Sequence, residues 1–415
     1  VETPEQLEVT RLYKKLSAKY GDKSESEIAA DDMEEFAYYQ KVKKDFEKRI
    51  ADTQEKYNYY SKLKNYLAYA DSEAKAKLGK EEYTLSDLNT LDEADRDPIL
   101  MQVYSTGGTA SMLMDDADYR IEHYGPLLKT HYNLDFNGRM TDDNAYDIND
   151  VPYGNGFVSG GLGDESHGTH VAGISLAKRN NGKGSNGVTN NAKLLAVRAV
   201  PNGDEYDKDV ALGIRYAVDN GAKVINMSFG KSYSPNAEWV YDAIKYAASK
   251  DVLLVHAAGN DHKDIDKSDN FPTDAPDKVN EIADNVITVG AMTRNYNEDL
   301  VATFSNYGKL NVDIFAPGLD VYSSIPSNEY KRYPGTSMAA PAVAGVAAMV
   351  RSYYPELSAS QVKHILMNSG IKVDKQVKLP GSEDKLVPFS DLSVSGRVLN
   401  AYNALKMADA MVNGK

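Results

Sequence analysis

From about Gly160 onward the chain alternates short apolar, β-rich runs with helical stretches, and this alternation is what most restricts its fold. The runs are Lys193–Val200, Ala211–Asp219, Lys223–Ser228, Trp239–Ser249, Val252–Ala257 and Val286–Ala291. Strand followed by helix followed by strand predicts a parallel sheet with helices on both faces, an α/β fold. Chemistry in such folds gathers at the carboxyl ends of strands and at the helix starts that follow them. Composition removes several alternatives. The chain has no cysteine, which excludes disulfides, thiol catalysis and Cys-ligated zinc and fits a protein outside the cytoplasm. Its 47 basic against 61 acidic residues give a formal charge of −14, unsuited to a nucleic-acid partner. No apolar run approaches the roughly 18 residues of a membrane span.

The first part of the chain reads differently. Between Gly21 and Gly79 there is neither Gly nor Pro, and Phe36, Tyr39, Val42, Phe46, Ile50, Tyr57, Tyr60, Leu63, Leu67 and Ala70 recur at helical steps. Ser24 with Glu27 has the spacing of a capping box, and Thr84 with Asp87 marks a second helix start. One unbroken helix over this stretch would extend about 80 Å, so the expectation is a break into a helical hairpin. The tyrosines of this region, among them Tyr38, Tyr59, Tyr66 and Tyr69, read as packing and rim and not as a ligand platform. Residues 1–145 are taken as a mainly helical insertion and 146–415 as the second domain.

Four segments carry candidate chemistry. Ser166-His167-Gly168-Thr169-His170-Val171-Ala172-Gly173 places a base at a helix start among small residues, with His167 as the base and His170 facing inward. It lacks the Glu of a zinc-protease helix. Gly335-Thr336-Ser337-Met338-Ala339-Ala340-Pro341 sets a serine in the first turn of an apolar helix, where backbone N–H groups and the dipole favour negative charge. Taken alone, Ser337 reads equally well as a helix cap. Val252 to Asn260 is an apolar run ending in small residues and an amide placed to donate to a developing oxyanion, though such an end is also an ordinary turn. Val224 to Gly230 is another apolar run whose end can pair with an extended peptide.

Together, and in their order along the chain, these segments resemble the subtilisin-like serine proteases (subtilases), in which they carry base, oxyanion donor and nucleophile. The resemblance covers about residues 145 to 405, and includes Phe304-Ser305-Asn306-Tyr307-Gly308 and Phe315-Ala316-Pro317-Gly318. It implies a subtilisin-like α/β fold and a serine endopeptidase with His167 as general base, Ser337 as nucleophile and Asn260 as oxyanion donor. Ser228, Phe229 and Gly230 with Ala257, Ala258 and Gly259 would bind the peptide substrate. No cofactor is required by that chemistry. Arg179 to Gly184 resembles a loop that holds calcium in the family, and the resemblance implies an extracytoplasmic location.

One family element is missing. The Asp that orients the histidine should precede it in an Asp-Ser/Thr-Gly context. Asp52-Thr53 and Asp71-Ser72 lack the Gly, and Ser105-Thr106-Gly107 has Ser in place of Asp. Three readings stand. The Asp strand precedes Val1, on a segment that was cleaved or belongs to a longer chain, a partner that the non-Met start also suggests. It was lost, leaving an inactive module that binds peptides or a partner protein. Or another carboxylate, such as Asp164, replaces it.

Overall fold

The computed structural model describes residues 5–139, 141–159, 165–200 and 205–414, apart from the side chains of Glu5, Gln6 and Tyr119. Asp164 lies outside them. The chain forms two compact units that divide between Gly138 and Arg139.

The first unit is helical: α1 (Glu5–Tyr20), α2 (Met33–Leu78), α3 (Leu85–Leu88), α4 (Pro98–Ser105) and α5 (Ala110–Pro126). The expected break is absent, and α2 runs unbroken for 46 residues. Its length is supported by partners distant in sequence. Tyr13 of α1 stacks on Phe46 and Tyr20 meets Phe36 edge-on, while Tyr124 of α5 stacks on Tyr60. Leu67, Ala70 and Ala74 enter a common core with Tyr83, Leu88, Leu100 and Ala110. Packing of one face is what stabilises such a helix, so the hairpin forms from α2 and its neighbours with no break in α2 itself. The Ser24–Glu27 capping box exists, but on a single 3-10 turn ahead of α2, and Thr84 caps the short α3.

The second unit is an α/β domain. Its strands are β1 (Val224–Met227), β2 (Leu253–Ala257), β3 (Val286–Met292), β4 (Ile314–Pro317), the hairpin β5 (Val321–Ile325) and β6 (Glu329–Tyr333), β7 (Ile371–Lys372), the hairpin β8 (Gln376–Lys378) and β9 (Leu386–Pro388), and β10 (Arg397–Val398). The main sheet has the order β1-β2-β3-β4-β10-β7, parallel except for the last pair. Its helices are α6 (Ser166–Leu176), α7 (Asp207–Asp219), α8 (Ala237–Ser249), α9 (Thr336–Tyr353), α10 (Ala359–Ser369) and α11 (Ala401–Asn413). Strand alternation divides the core in two. Leu253, Val255 and Ala257 of β2 meet α9, α10 and α11, whereas Val252 and Leu254 meet α7 and α8. A strand covered on both faces needs apolar residues at every position, which explains the unbroken run of β2.

Residues 141–159 belong to this unit, which therefore starts earlier than position 146. The buried Lys208 ammonium binds Asp143 (2.6 Å) and the carbonyls of Asn144 and Asp150 (both 2.8 Å), and Arg139 bridges Asp143 and Asp209. One expected strand does not form. Lys193–Val200 lies outside the sheet, with Leu194 and Leu195 60% and 41% exposed. Among the described residues β1 is an outermost strand of the main sheet, paired with β2 alone.

Candidate active site

The site assembles where β1 and β2 end and α9 begins. Gly335 enters α9 with φ +144°, a conformation that side chains resist, and its N–H is held by the Gly318 carbonyl at 2.7 Å. Thr336 is buried and fixes the neighbouring loop. Its N–H and hydroxyl donate to Asn260 Oδ1 at 2.8 and 3.0 Å, and its hydroxyl accepts from Gly259 N at 3.1 Å. Ser337 follows in the first turn of α9. Its hydroxyl donates to the Ser228 carbonyl at 3.3 Å, and Ser228 Oγ donates back to the Ser337 carbonyl at 2.8 Å. Asn226 supports Ser228 through a 2.9 Å hydrogen bond.

This arrangement leaves two donors beside a gap. Thr336 occupies Oδ1 of Asn260, so the amide nitrogen is the group left for another acceptor. A Cβ on Gly335 would lie 3.6 Å from Ser337 N and 3.7 Å from Asn260 Nδ2. Glycine keeps that space open between the two N–H donors, at the positive end of α9. A negative oxygen beside Ser337 fits such a gap.

The loop bearing Asn260 is held from behind by Asn306. This buried side chain donates to the Ala258 carbonyl (2.8 Å) and accepts from the N–H groups of Asp261 and Lys263 (3.0 and 2.9 Å). Ala258 N–H is taken by the Val289 carbonyl. Ala258 therefore has its backbone satisfied internally, and Ala257 and Ala258 are buried while Gly259 is partly exposed. Gly230 is exposed, and neither its N–H nor its carbonyl has a partner among the described residues.

His167 occupies the first turn of α6 and is partly buried. α6 packs on α9, where Ser175 Oγ donates to the Pro341 carbonyl at 2.8 Å, and on β5, where Ser323 Oγ donates to the His170 carbonyl at 2.8 Å. Burial, with a smaller contribution from His170, holds the His167 pKa below the ordinary histidine value. The imidazole is thus neutral near pH 7, the form that accepts a proton. His170 is fully buried against Tyr333, with Nε2 at 3.0 Å from the Lys331 carbonyl.

Ser337, Asn260 and Ser228 are tied together, whereas no hydrogen bond joins His167 to Ser337 and no carboxylate pairs with His167 among the described residues. Asp52 and Asp71 lie on α2, each paired with a lysine one turn away. Ser105 ends α4. The Arg179–Gly184 loop is closed by the Arg179 guanidinium on the Gly187 carbonyl and by Asn186 on Asn180 N–H. No cluster of three or more His, Asp or Glu suited to a metal occurs among the described residues. Thr336, Asn306 and His256, which brace the site, were not singled out from sequence. All three lie inside motifs quoted above, but their partners come from distant segments, so the local pattern does not show what they bind.

Comparison with known proteins shows the family to which the chain belongs. Residues 105–394 match the subtilase family, and the chain belongs to that family. It is 40% identical over 227 residues to a thermophilic serine proteinase of Bacillus sp. (strain AK1), covering 54% of this chain and 49% of the relative. It is 39% identical over 220 residues to subtilisin DY of Bacillus licheniformis, covering 52% of this chain and 75% of the relative. The chain thus spans about half the length of the first of these. A solved protease structure from Pseudoalteromonas arctica is 32% identical, with a TM-score of 0.46 over 58% of this chain and 70% of that one. No helix among the described residues is long and apolar enough to cross a membrane.

Proposed function

We propose that the chain belongs to a subtilisin-type serine endopeptidase. The observation that carries this reading is the Ser337 turn, with its two N–H donors flanking the space that Gly335 leaves open. Ser337 Oγ attacks the scissile carbonyl while His167 takes the hydroxyl proton. The tetrahedral oxygen lies between Asn260 Nδ2 and Ser337 N–H, and His167 then protonates the leaving amine. Water hydrolyses the acyl-enzyme by the same route in reverse. An extended peptide or protein substrate lies along Ser228–Phe229–Gly230, with Ala257, Ala258 and Gly259 lining the other side.

The group that orients His167 is an Asp on a further strand, supplied by a segment outside residues 1–415. Two features of the second unit favour a strand beside β1. Asn226 Oδ1, on that outermost strand, is buried and without a partner among the described residues. The apolar Lys193–Val200 run stays exposed where sheet pairing would bury it. Residues 1–145 then form the connection between that strand and His167. The chemistry needs no cofactor; calcium at Arg179–Gly184 and an extracytoplasmic location, in keeping with a cysteine-free chain, complete the proposal.

The test is reaction of the full-length gene product with a fluorophosphonate, followed by peptide mapping. A label on Ser337, absent from Ser337→Ala, supports the enzyme. Peptide binding with no label on Ser337 would instead establish an inactive peptide-binding module.

A further inference from the structure

The outer segment Ser228–Phe229–Gly230 has a support that the triad does not explain. His256 lies on β2, 2% exposed, in register with Met227 of β1 and Thr288 of β3. Its Nε2 is 3.0 Å from the Phe229 carbonyl. A carbonyl only accepts, so the ring donates through Nε2–H. Burial pushes the imidazole down to about 4, with no charged neighbour contributing, and the ring is a neutral donor at working pH.

The consequences run along the segment. Its near end is held at Ser228 by the reciprocal hydrogen bonds with Ser337. Its far end is held at Lys231, whose N–H and carbonyl pair with Phe271 at 2.9 and 2.8 Å. Between these ends, the only hydrogen bond among the described residues is the one from His256. Successive carbonyls of an extended chain point to opposite sides. Holding the Phe229 carbonyl inward on His256 therefore turns the unpaired groups of Gly230 outward, the orientation in which an edge accepts another strand. A side chain at Gly230 would crowd this support, because its Cβ would lie 3.1 Å from the Phe271 carbonyl and 3.5 Å from His256 Nε2.

We infer that His256 is a positioning residue for peptide recognition: its hydrogen bond to the Phe229 carbonyl sets the edge at Gly230 against which an extended substrate pairs. The inference rests on the protease reading above, and it predicts an effect on long substrates that leaves the reactivity of Ser337 intact.

The test compares His256→Met and His256→Gln in the full-length protein. Methionine fills the space without an N–H donor, whereas glutamine restores one. Three readouts are taken: the rate of fluorophosphonate labelling, hydrolysis of a single-residue ester, and hydrolysis of a peptide extending several residues before the cleaved bond. For His256→Met the expectation is unchanged labelling and ester turnover, with KM for the long peptide raised about 3- to 10-fold, the worth of one hydrogen bond. His256→Gln should recover most of that loss. Equal losses on ester and peptide, slower labelling, or a Gln variant no better than Met would each overturn the inference. Failure of the wild-type protein to label at Ser337 would overturn the protease reading, and with it the basis of this one.

Discussion

The two first turns of the site, at Ser337 and at His167, are built to different degrees. Around Ser337, hydrogen bonds arrive from Gly318, Ser228 and the adjacent Gly259 and Asn260, three places along the chain that fix one loop and one helix start. Around His167 the helix is well packed, yet the imidazole has no hydrogen-bond partner among the described residues. The difference follows from where the partners lie. Everything that Ser337 needs comes from Val224 onward, so its half of the site closes within the second unit. A histidine base needs an acceptor for its other ring nitrogen, and the strand beside β1 is where we place it. On the proposed reading, one half of the site is complete while the other awaits a carboxylate.

The sharpest way to break this comparison is to remove the complete half. Ser337→Ala should lower peptide hydrolysis roughly 10⁶-fold in the full-length protein, because the remaining groups form no acyl-enzyme. A turnover assay against a fluorogenic peptide reads it directly, and residual activity within a few-fold of wild type would move the nucleophile elsewhere. The incomplete half gives the next largest effect. Residues 1–415 alone should be about 10⁴-fold slower than a protein that also carries the Asp-bearing strand, the usual consequence of losing the orienting carboxylate. Equal rates for the two proteins would mean that a carboxylate already within the chain, with Asp164 foremost, serves His167.

Asn260→Ala should then cost about 10²- to 10³-fold in kcat with KM nearly unchanged, since its donor acts on charge that develops only in the transition state. The same variant removes the acceptor for Thr336, so thermal unfolding must be measured alongside. A loss of kcat matched by a loss of native structure at the assay temperature would assign Asn260 to the scaffold.

How much of this could be read from sequence depended on how far apart the interacting residues lie. The Gly335–Pro341 run is legible because a strained glycine, a small nucleophile and a helix start are consecutive, and each constraint leaves its mark on adjacent letters. β2 is legible for the same reason, since burial on both faces demands an unbroken apolar run. The length of α2 was not, because the rule that long isolated helices are unstable omits Tyr13, Tyr20 and Tyr124, which come from other helices. Lys193–Val200 has the local pattern of a strand, but a strand also needs a neighbour to pair with, and none of the described strands lies there. Asn306 and His256 act on loops far from them in sequence, and an isolated Asn or His carries no sign of its partner.

The smallest effect is an equilibrium one, and it sharpens the comparison without any turnover. In residues 1–415 burial disfavours the charged imidazolium of His167, so its titration midpoint lies below the usual value of 6.5. A carboxylate brought within hydrogen-bond reach stabilises the imidazolium and moves the midpoint upward. Histidine proton resonances followed against pH should therefore show His167 still mostly neutral at pH 6.5 in the chain alone, and shifted upward when the Asp-bearing strand is present. His256 serves as an internal reference: it is buried among uncharged groups and titrates near 4. Its midpoint should stay in place while that of His167 moves. A common shift of both would report a general change in the fold, and no shift of His167 with the strand bound would place the carboxylate elsewhere than beside the base.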